Sequence, residues 1–278
     1  MQVYFYAKTG HAIGLEAAKR CAAIATELKE FDPILCTSDF RAGAFAKDLL
    51  GIRRYVNIDV VRNLHNIMQK RDILLYDTDE TNELMKEGMS EFCSLVYNME
   101  ELNDVIIDEQ LYSKIENPNI EKTIFFGDDD YNELFLDGVK NSSKHDITLL
   151  MGHYFFLGNE KIFTEHFSDV IDEEEYVETI QNSKYLLTAS LQTALESIFC
   201  ENNPVLFKRE DKTYNEELIQ KLNIPVIESK SIDDTILEFE NIIKSYPTIQ
   251  KPKNFDISMV KNEISEKIEN YKKLTQGN

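Results

Sequence analysis

The feature that most constrains this chain is an alternation of short apolar runs with amphipathic stretches, repeated from one end to the other. Val3-Tyr4-Phe5-Tyr6 reads as a first strand, followed by the turn Lys8-Thr9-Gly10-His11 and a helix from about Ile13 to Leu28. Ala17, Ala18, Cys21, Ala22, Ile24 and Ala25 give that helix a small-residue face suited to close packing on a sheet. Pro33–Cys36, Ile73–Tyr76, Cys93–Tyr97 and Asp104–Ile107 continue as strands. The pattern breaks into a polar segment at Ile115-Glu116-Asn117-Pro118-Asn119, the expected boundary. It restarts with strands at Thr123–Phe126, Ile147–Met151, Tyr185–Thr188, Val205–Lys208 and Pro225–Ile227. Helices are predicted over 132–140, 174–182, 192–200, 215–222 and 232–244. A terminal helix over 258–274 follows from Val260, Ile264, Ile268 and Tyr271 at helical spacing.

Strand–helix alternation forces parallel sheets with right-handed crossovers, because each helix carries the chain back to the same edge. The expectation is therefore α/β, with two Rossmann-like domains facing across a cleft. Residues 1–115 would form the N-terminal domain, on the sugar or acceptor side. Residues 120–278 would form the C-terminal domain, on the nucleotide side, with the terminal helix included. Ligands in such sheets bind at the carboxyl ends of the strands.

Composition narrows the partners. The net charge of −20 opposes nucleic acid or an anionic membrane surface, since both demand a basic footprint. No early segment reads as a secretory signal and no apolar run is long enough to span a bilayer, so a cytoplasmic protein is expected. Cys21, Cys36, Cys93 and Cys200 are widely spaced and read as buried free thiols rather than metal ligands or disulfides.

Three loops carry candidate chemistry. After the first strand, Gly10 and Gly14 let backbone approach a ligand, and His11 is either a general base or a surface histidine beside an ordinary turn. After the strand at 185–188, Ser190 or Thr193 caps a helix whose first amides suit a phosphate. Glu196 follows Thr193 at i, i+3, placed to accept hydrogen bonds from a ribose or to stand as one exposed acid on a capped core helix. After the strand at 123–126, Gly127-Asp128-Asp129-Asp130 offers oxygen ligands to Mg²⁺, or a solvated turn with Asp130 capping the next helix. The turn is the expected reading, and no metal site is predicted.

The order and spacing of these loops resemble the UDP-sugar hydrolases of pseudaminic acid synthesis (PseG-like), and more remotely the N-acetylglucosaminyl transferase of peptidoglycan synthesis. The similarity runs through Ile13–Arg20, Cys93–Leu111, Phe126–Asn132 and Thr188–Phe207. It implies the GT-B architecture, with a UDP-sugar as ligand and no required cofactor. It also implies a role in bacterial surface or flagellar glycan synthesis. Thr193 and Glu196 fall where the transferase-like members have a phosphate-side hydroxyl and the nucleoside-binding acid. The departures bear on activity. The hydrolase pattern Gly-x-Gly-His-x-x-Arg aligns with Gly14 to Arg20, and this puts Glu16 at the second Gly and Ala17 at the catalytic His. His11 is then the replacement base, with Glu16 a poorer one inside the predicted helix. Asp128 stands where the family has glycine, and a carboxylate there would repel a diphosphate. The cost is about 4 kcal/mol for unit charges ~4 Å apart at an effective dielectric near ~20. Lys208 and Arg209 replace an Asn-Gln pair and offer phosphate contacts instead. Three readings stay open: a nucleotide-sugar hydrolase or transferase, a degenerate binder that partners another glycosylation enzyme, and a borrowed fold with an unrelated ligand.

Overall fold

A computed structural model of the chain describes residues 1–102, 105–154, 158–228 and 231–276. Its contacts divide it into two units. One takes in Met1–Gly10, Leu15–Asp108 and the segment from Asn254 onward, the other His11–Gly14 and Glu109–Lys253.

The first unit runs β1 (Val3–Ala7), α1 (Glu16–Glu27), β2 (Ile34–Thr37), α2 (Phe40–Leu49), β3 (Tyr55–Asn57), β4 (Ile73–Asp77), α3 (Glu83–Phe92) and β5 (Leu95–Asn98). The sheet order is β3-β2-β1-β4-β5, with every pairing parallel. β1 and β4 are buried along their whole length, which is why both read as unbroken apolar runs. α2 starts where the Asp39 carboxylate accepts the Ala42 N–H at 3.0 Å. Gly43 is obligatory in that helix, because a Cβ there would lie 2.2 Å from the Tyr55 ring.

The second unit runs β6 (Ile120–Phe125), α4 (Leu134–Val139), β7 (His145–Leu150), α5 (Glu160–His166), β8 (Phe167–Ile171) and α6 (Tyr176–Asn182). It continues through β9 (Ser183–Thr188), α7 (Leu191–Phe199), β10 (Asn203–Lys208), α8 (Glu216–Leu222), β11 (Val226–Glu228) and α9 (Ile232–Lys244). Its order is β11-β10-β9-β6-β7-β8, again wholly parallel. One face is filled by aromatic rings, with Phe135 4.9 Å from Phe126 and 5.7 Å from Phe163.

Two expectations differ from the structure. Val105–Ile107 form no strand, and Asp104 of that predicted strand lies outside the described residues. Instead this buried stretch pairs with the returning chain: Phe255 N donates to Val105 O at 3.0 Å, and Ile107 N donates to Asn254 Oδ1 at 3.0 Å. That pairing explains the second difference. The terminal helix α10 (Ser258–Gln276) belongs to the first unit rather than to the C-terminal half. Val260 and Ile264 are fully buried there, and Lys261 pairs with Glu30 at 2.6 Å. Cys21, Cys36 and Cys200 are buried free thiols, while Cys93 is partly exposed. Among the described residues no helix is long and apolar enough to cross a membrane.

Candidate functional site

A doubly wound sheet opens a crevice where the strand order reverses. In the second unit the chain runs from β6 outward to β8, then returns beside β6 as β9, so the reversal lies between β6 and β9. The loop that leaves β6 is Phe126-Gly127-Asp128-Asp129-Asp130. Gly127 sits at φ +135°, and its carbonyl comes so close to Gly152 that a Cβ at Gly152 would lie 2.2 Å away. The three carboxylates diverge from there. Asp128 Oδ1 accepts the His153 N–H at 2.8 Å. Asp129 accepts Arg209 Nη1 at 2.6 Å and Lys212 Nζ at 2.9 Å. Asp130 caps α4 with both oxygens, taking the Leu134 and Phe135 N–H groups at 2.9 Å. Burial raises the Asp130 carboxyl despite those two donors. Among the described residues no three His, Cys, Asp or Glu side chains group to hold a metal. Asp128, the expected repulsive residue, is turned to His153, and it is Asp129 that faces the cations.

Arg209 is nearly buried. Its Nε and Nη2 grip Asp211 at 2.9 and 2.6 Å, and its guanidinium lies 4.6 Å over the Phe126 ring. Tyr214 ties this loop to the end of β9, its hydroxyl accepting Arg209 N at 3.2 Å and donating to Ala189 O at 3.1 Å. Lys208 Nζ pairs with Glu216 of α8 at 2.6 Å and takes no part in the cluster. Lys212, which the sequence reading missed, takes its place. Its signal was the three-residue offset from Arg209, closed by a turn in which Lys212 N donates to Arg209 O.

After β9, Ser190 caps α7 as expected, its Oγ accepting Thr193 N at 3.1 Å. Thr193 and Glu196, however, have no exposed surface. The Tyr176 hydroxyl, from α6, lies 2.8 Å from Thr193 Oγ1 and donates to Glu196 Oε2 at 2.5 Å. Burial, then the Glu196 charge, pushes the Tyr176 phenol well above its ordinary range, so it stays a donor. The pair thus locks α6 to α7, and Glu196 is a buried acid rather than the exposed one of a capped core helix.

The segment His11–Gly14 belongs to the second unit by its contacts. Gly14, at φ +82°, lies against Asp128 and Asp129, with room for a Cβ only at 3.4 Å from Asp129 Cβ. Gly10, in the first unit, has φ +148° and nothing within 4 Å of a Cβ position. His11 is exposed, its ring 4.6 Å from Tyr154. Tyr154 meets His153 edge-on at 4.9 Å, and His153 Nδ1 lies 3.8 Å from Glu173 Oε1. His153, Tyr154 and Glu173 were not singled out in the sequence. The predicted strand at 147–151 already put His153 and Tyr154 at a carboxyl edge. Glu16 and Ala17 open α1 in the first unit, where Glu16 lies 4.0 Å from Arg20.

No protein-family model matches the sequence, and no curated protein matches it. Solved structures do. HepE from Anabaena, in complex with UDP, is 11% identical with a TM-score of 0.51, over 97% of this chain and all of that one. The fold is GT-B-like. Two others align with TM-scores of 0.46, the UDP-GlcNAc 2-epimerase of Methanocaldococcus jannaschii and the heptosyltransferase WaaC of E. coli with ADP-2-deoxy-2-fluoro heptose. The first is 10% identical, over 98% of this chain and all of that one; the second is 8% identical, over 87% and 99%. At these identities the likeness is one of fold, and the HepE comparison carries it.

Proposed function

We propose that the protein binds a nucleotide sugar at the carboxyl edge of the second sheet and acts on it as a glycosyltransferase-like enzyme. The carrying observation is the convergence of Arg209 and Lys212 on the single carboxylate of Asp129, beside Gly127 at the reversal point. A diphosphate is the chemistry that two cations and a glycine turn suit. It would replace Asp129 on Arg209 Nη1 and Lys212 Nζ, with the Ser190-capped end of α7 facing the same edge. Arg209 and Lys212, rather than a metal ion, neutralise the diphosphate in this reading. HepE, which shares the fold, is in complex with UDP, so UDP is the first nucleotide to test.

The chemistry is displacement at the anomeric carbon. His11 takes the proton from a water or an acceptor hydroxyl while that oxygen bonds to the sugar. The bond from sugar to diphosphate breaks and the nucleotide leaves with its electron pair, stabilised by the two cations. Water as nucleophile makes the reaction UDP-sugar hydrolysis, as the PseG-like resemblance implies; a hydroxyl makes it transfer. Both fit the synthesis of a bacterial surface or flagellar glycan.

A second reading is a binder without turnover, partnering another glycosylation enzyme. It is favoured by Ala17 at the family's histidine position and by the full burial of Glu196. UDP release from a panel of UDP-sugars, in wild type and His11→Ala, separates the readings. Loss of ~10²-fold or more in turnover with UDP binding intact supports the enzyme. Unchanged turnover removes His11 as base. Binding without turnover of any sugar favours the second reading.

A further inference from the structure

A second cavity, in the first unit, is unlike the crevice just described. It measures about 240 Å³ and lies between the 3₁₀ segment Val61–Asn66, the floor residue Leu74 of β4, and α3. Three of the chain's seven methionines, Met68, Met85 and Met89, line it. Methionine is the side chain that best adapts a wall to an alkyl ligand, being unbranched and polarizable. Cys93 completes the wall as a neutral thiol, burial pushing it up to about 11.

The space is an open groove floored by the packed cluster of Val61, Leu64, Met68 and Leu74, with Met85, Met89 and Phe92 against it. α3 carries Met85, Met89 and Phe92 toward the cavity, yet none of its residues is fully buried, so the helix covers the sheet without filling the gap. Gly88 sits inside the same helix, where glycine is unfavourable, and a Cβ there would meet nothing within 4 Å. Close packing does not require that glycine. It is exposed at the mouth of the groove, where a larger side chain would cover the opening.

The polar lining sets the head group. In a chain of net charge −20, the cavity has no acidic lining residue, and its titratable polar members are Arg62 and His65, both exposed. His65 Nδ1 donates to Arg62 O at 2.6 Å, which holds its Nε2 free of that turn. Glu80 accepts the Val61 N–H beside them but does not line the groove, and an apolar groove with a cationic rim matches an amphiphile of opposite charge.

We infer that this cavity is a binding site for a single alkyl chain ending in a carboxylate, the chain against Met68, Met85 and Met89 and the carboxylate against Arg62. The site is independent of the nucleotide reading.

The test is calorimetric titration of the full-length protein with straight-chain carboxylates of six to twelve carbons below their micelle concentrations. Affinity is expected to rise about fourfold per methylene until the cavity is full. An alkylammonium of equal length should bind at least tenfold more weakly. Arg62→Glu, a surface change, should weaken the carboxylate tenfold and leave the matching alcohol unaffected. Gly88→Phe and Met89→Trp, which fill the space, should abolish binding, with melting temperatures confirming that they fold. The inference is overturned by affinity flat across chain lengths, by an Arg62→Glu protein that binds as wild type, or by filled variants that still bind. It is equally overturned if the face instead drives concentration-dependent self-association that Gly88→Phe removes.

Discussion

Both sheets reverse direction in the same manner, between β1 and β4 in the first unit and between β6 and β9 in the second, yet they manage charge differently at those points. In the first, Arg20 of α1 grips Asp77 at the end of β4, at 2.7 and 3.1 Å, and Asp77 is only 3% exposed. The cation bonds one carboxylate, with Glu16 of its own helix 4.0 Å away, and both members of the bonded pair are fixed on regular elements. Lys8 and Glu80 make a second such pair, and Glu80 also accepts the Tyr6 hydroxyl and the Val61 N–H. In the second unit one carboxylate holds two cations that come from a turn, while Asp211 stays on the other edge of Arg209. A one-to-one fork between a strand end and a helix acts as a strut. In the proposed function, a two-to-one cluster on loops offers two donors to a more highly charged anion that displaces Asp129. The same topology thus yields a closed edge in one unit and, in the proposed function, a convertible one in the other.

The largest effect should come from breaking the strut. Arg20→Ala leaves Asp77 as a buried, uncompensated charge and should lower stability by about 3–5 kcal/mol in urea denaturation. Tyr176→Phe strips a charge-assisted hydrogen bond from buried Glu196 and should cost about 1.5–3 kcal/mol by the same assay. Asp129→Asn is a mixed case. Arg209 keeps Asp211 but loses a largely buried carboxylate, so stability should fall by about 1–3 kcal/mol, while UDP should bind at least about tenfold more tightly as a repulsive charge is removed. A large stability loss without tighter binding would make the second cluster a strut as well. Gly88→Ala should stabilise the first unit by about 0.5–1 kcal/mol through helix propensity alone. The smallest effect is on pH. The Arg209 hydrogen bond, outweighing burial, lowers the Asp211 carboxyl. Its folded value lies below its unfolded one, so the stability it contributes is present above the unfolded value near ~4 and is lost as pH falls through the folded one. An acid titration of melting temperature should flatten in that window in Arg209→Met.

The strands that position both reversal points were legible because they are buried on both faces, as in β1 and β4. The elements that escaped are half-exposed. β8 buries Phe167 and exposes Ser168 and Asp169 at a sheet edge, and α3 has only the short stripe Met85, Met89 and Phe92, none of it fully buried. Ser190 was readable as a cap because capping is local. The role of Glu196 was not, since its partner Tyr176 lies 20 positions earlier on another helix, and spacing within α7 says only which residues share a side. Lys208 and Lys212 show the same limit: both flank Arg209, and only the turn after β10 decides which one reaches Asp129.

The most direct test of the convertible edge is the melting temperature of wild type and Asp129→Asn across a UDP titration, since a ligand bound to the folded state raises stability by mass action. A concentration-dependent rise is expected in wild type, and a larger rise, at lower UDP, in Asp129→Asn. A flat response in both proteins at millimolar UDP would contradict it, and would leave the Arg209–Asp129–Lys212 cluster as a structural pairing like that of Arg20 and Asp77.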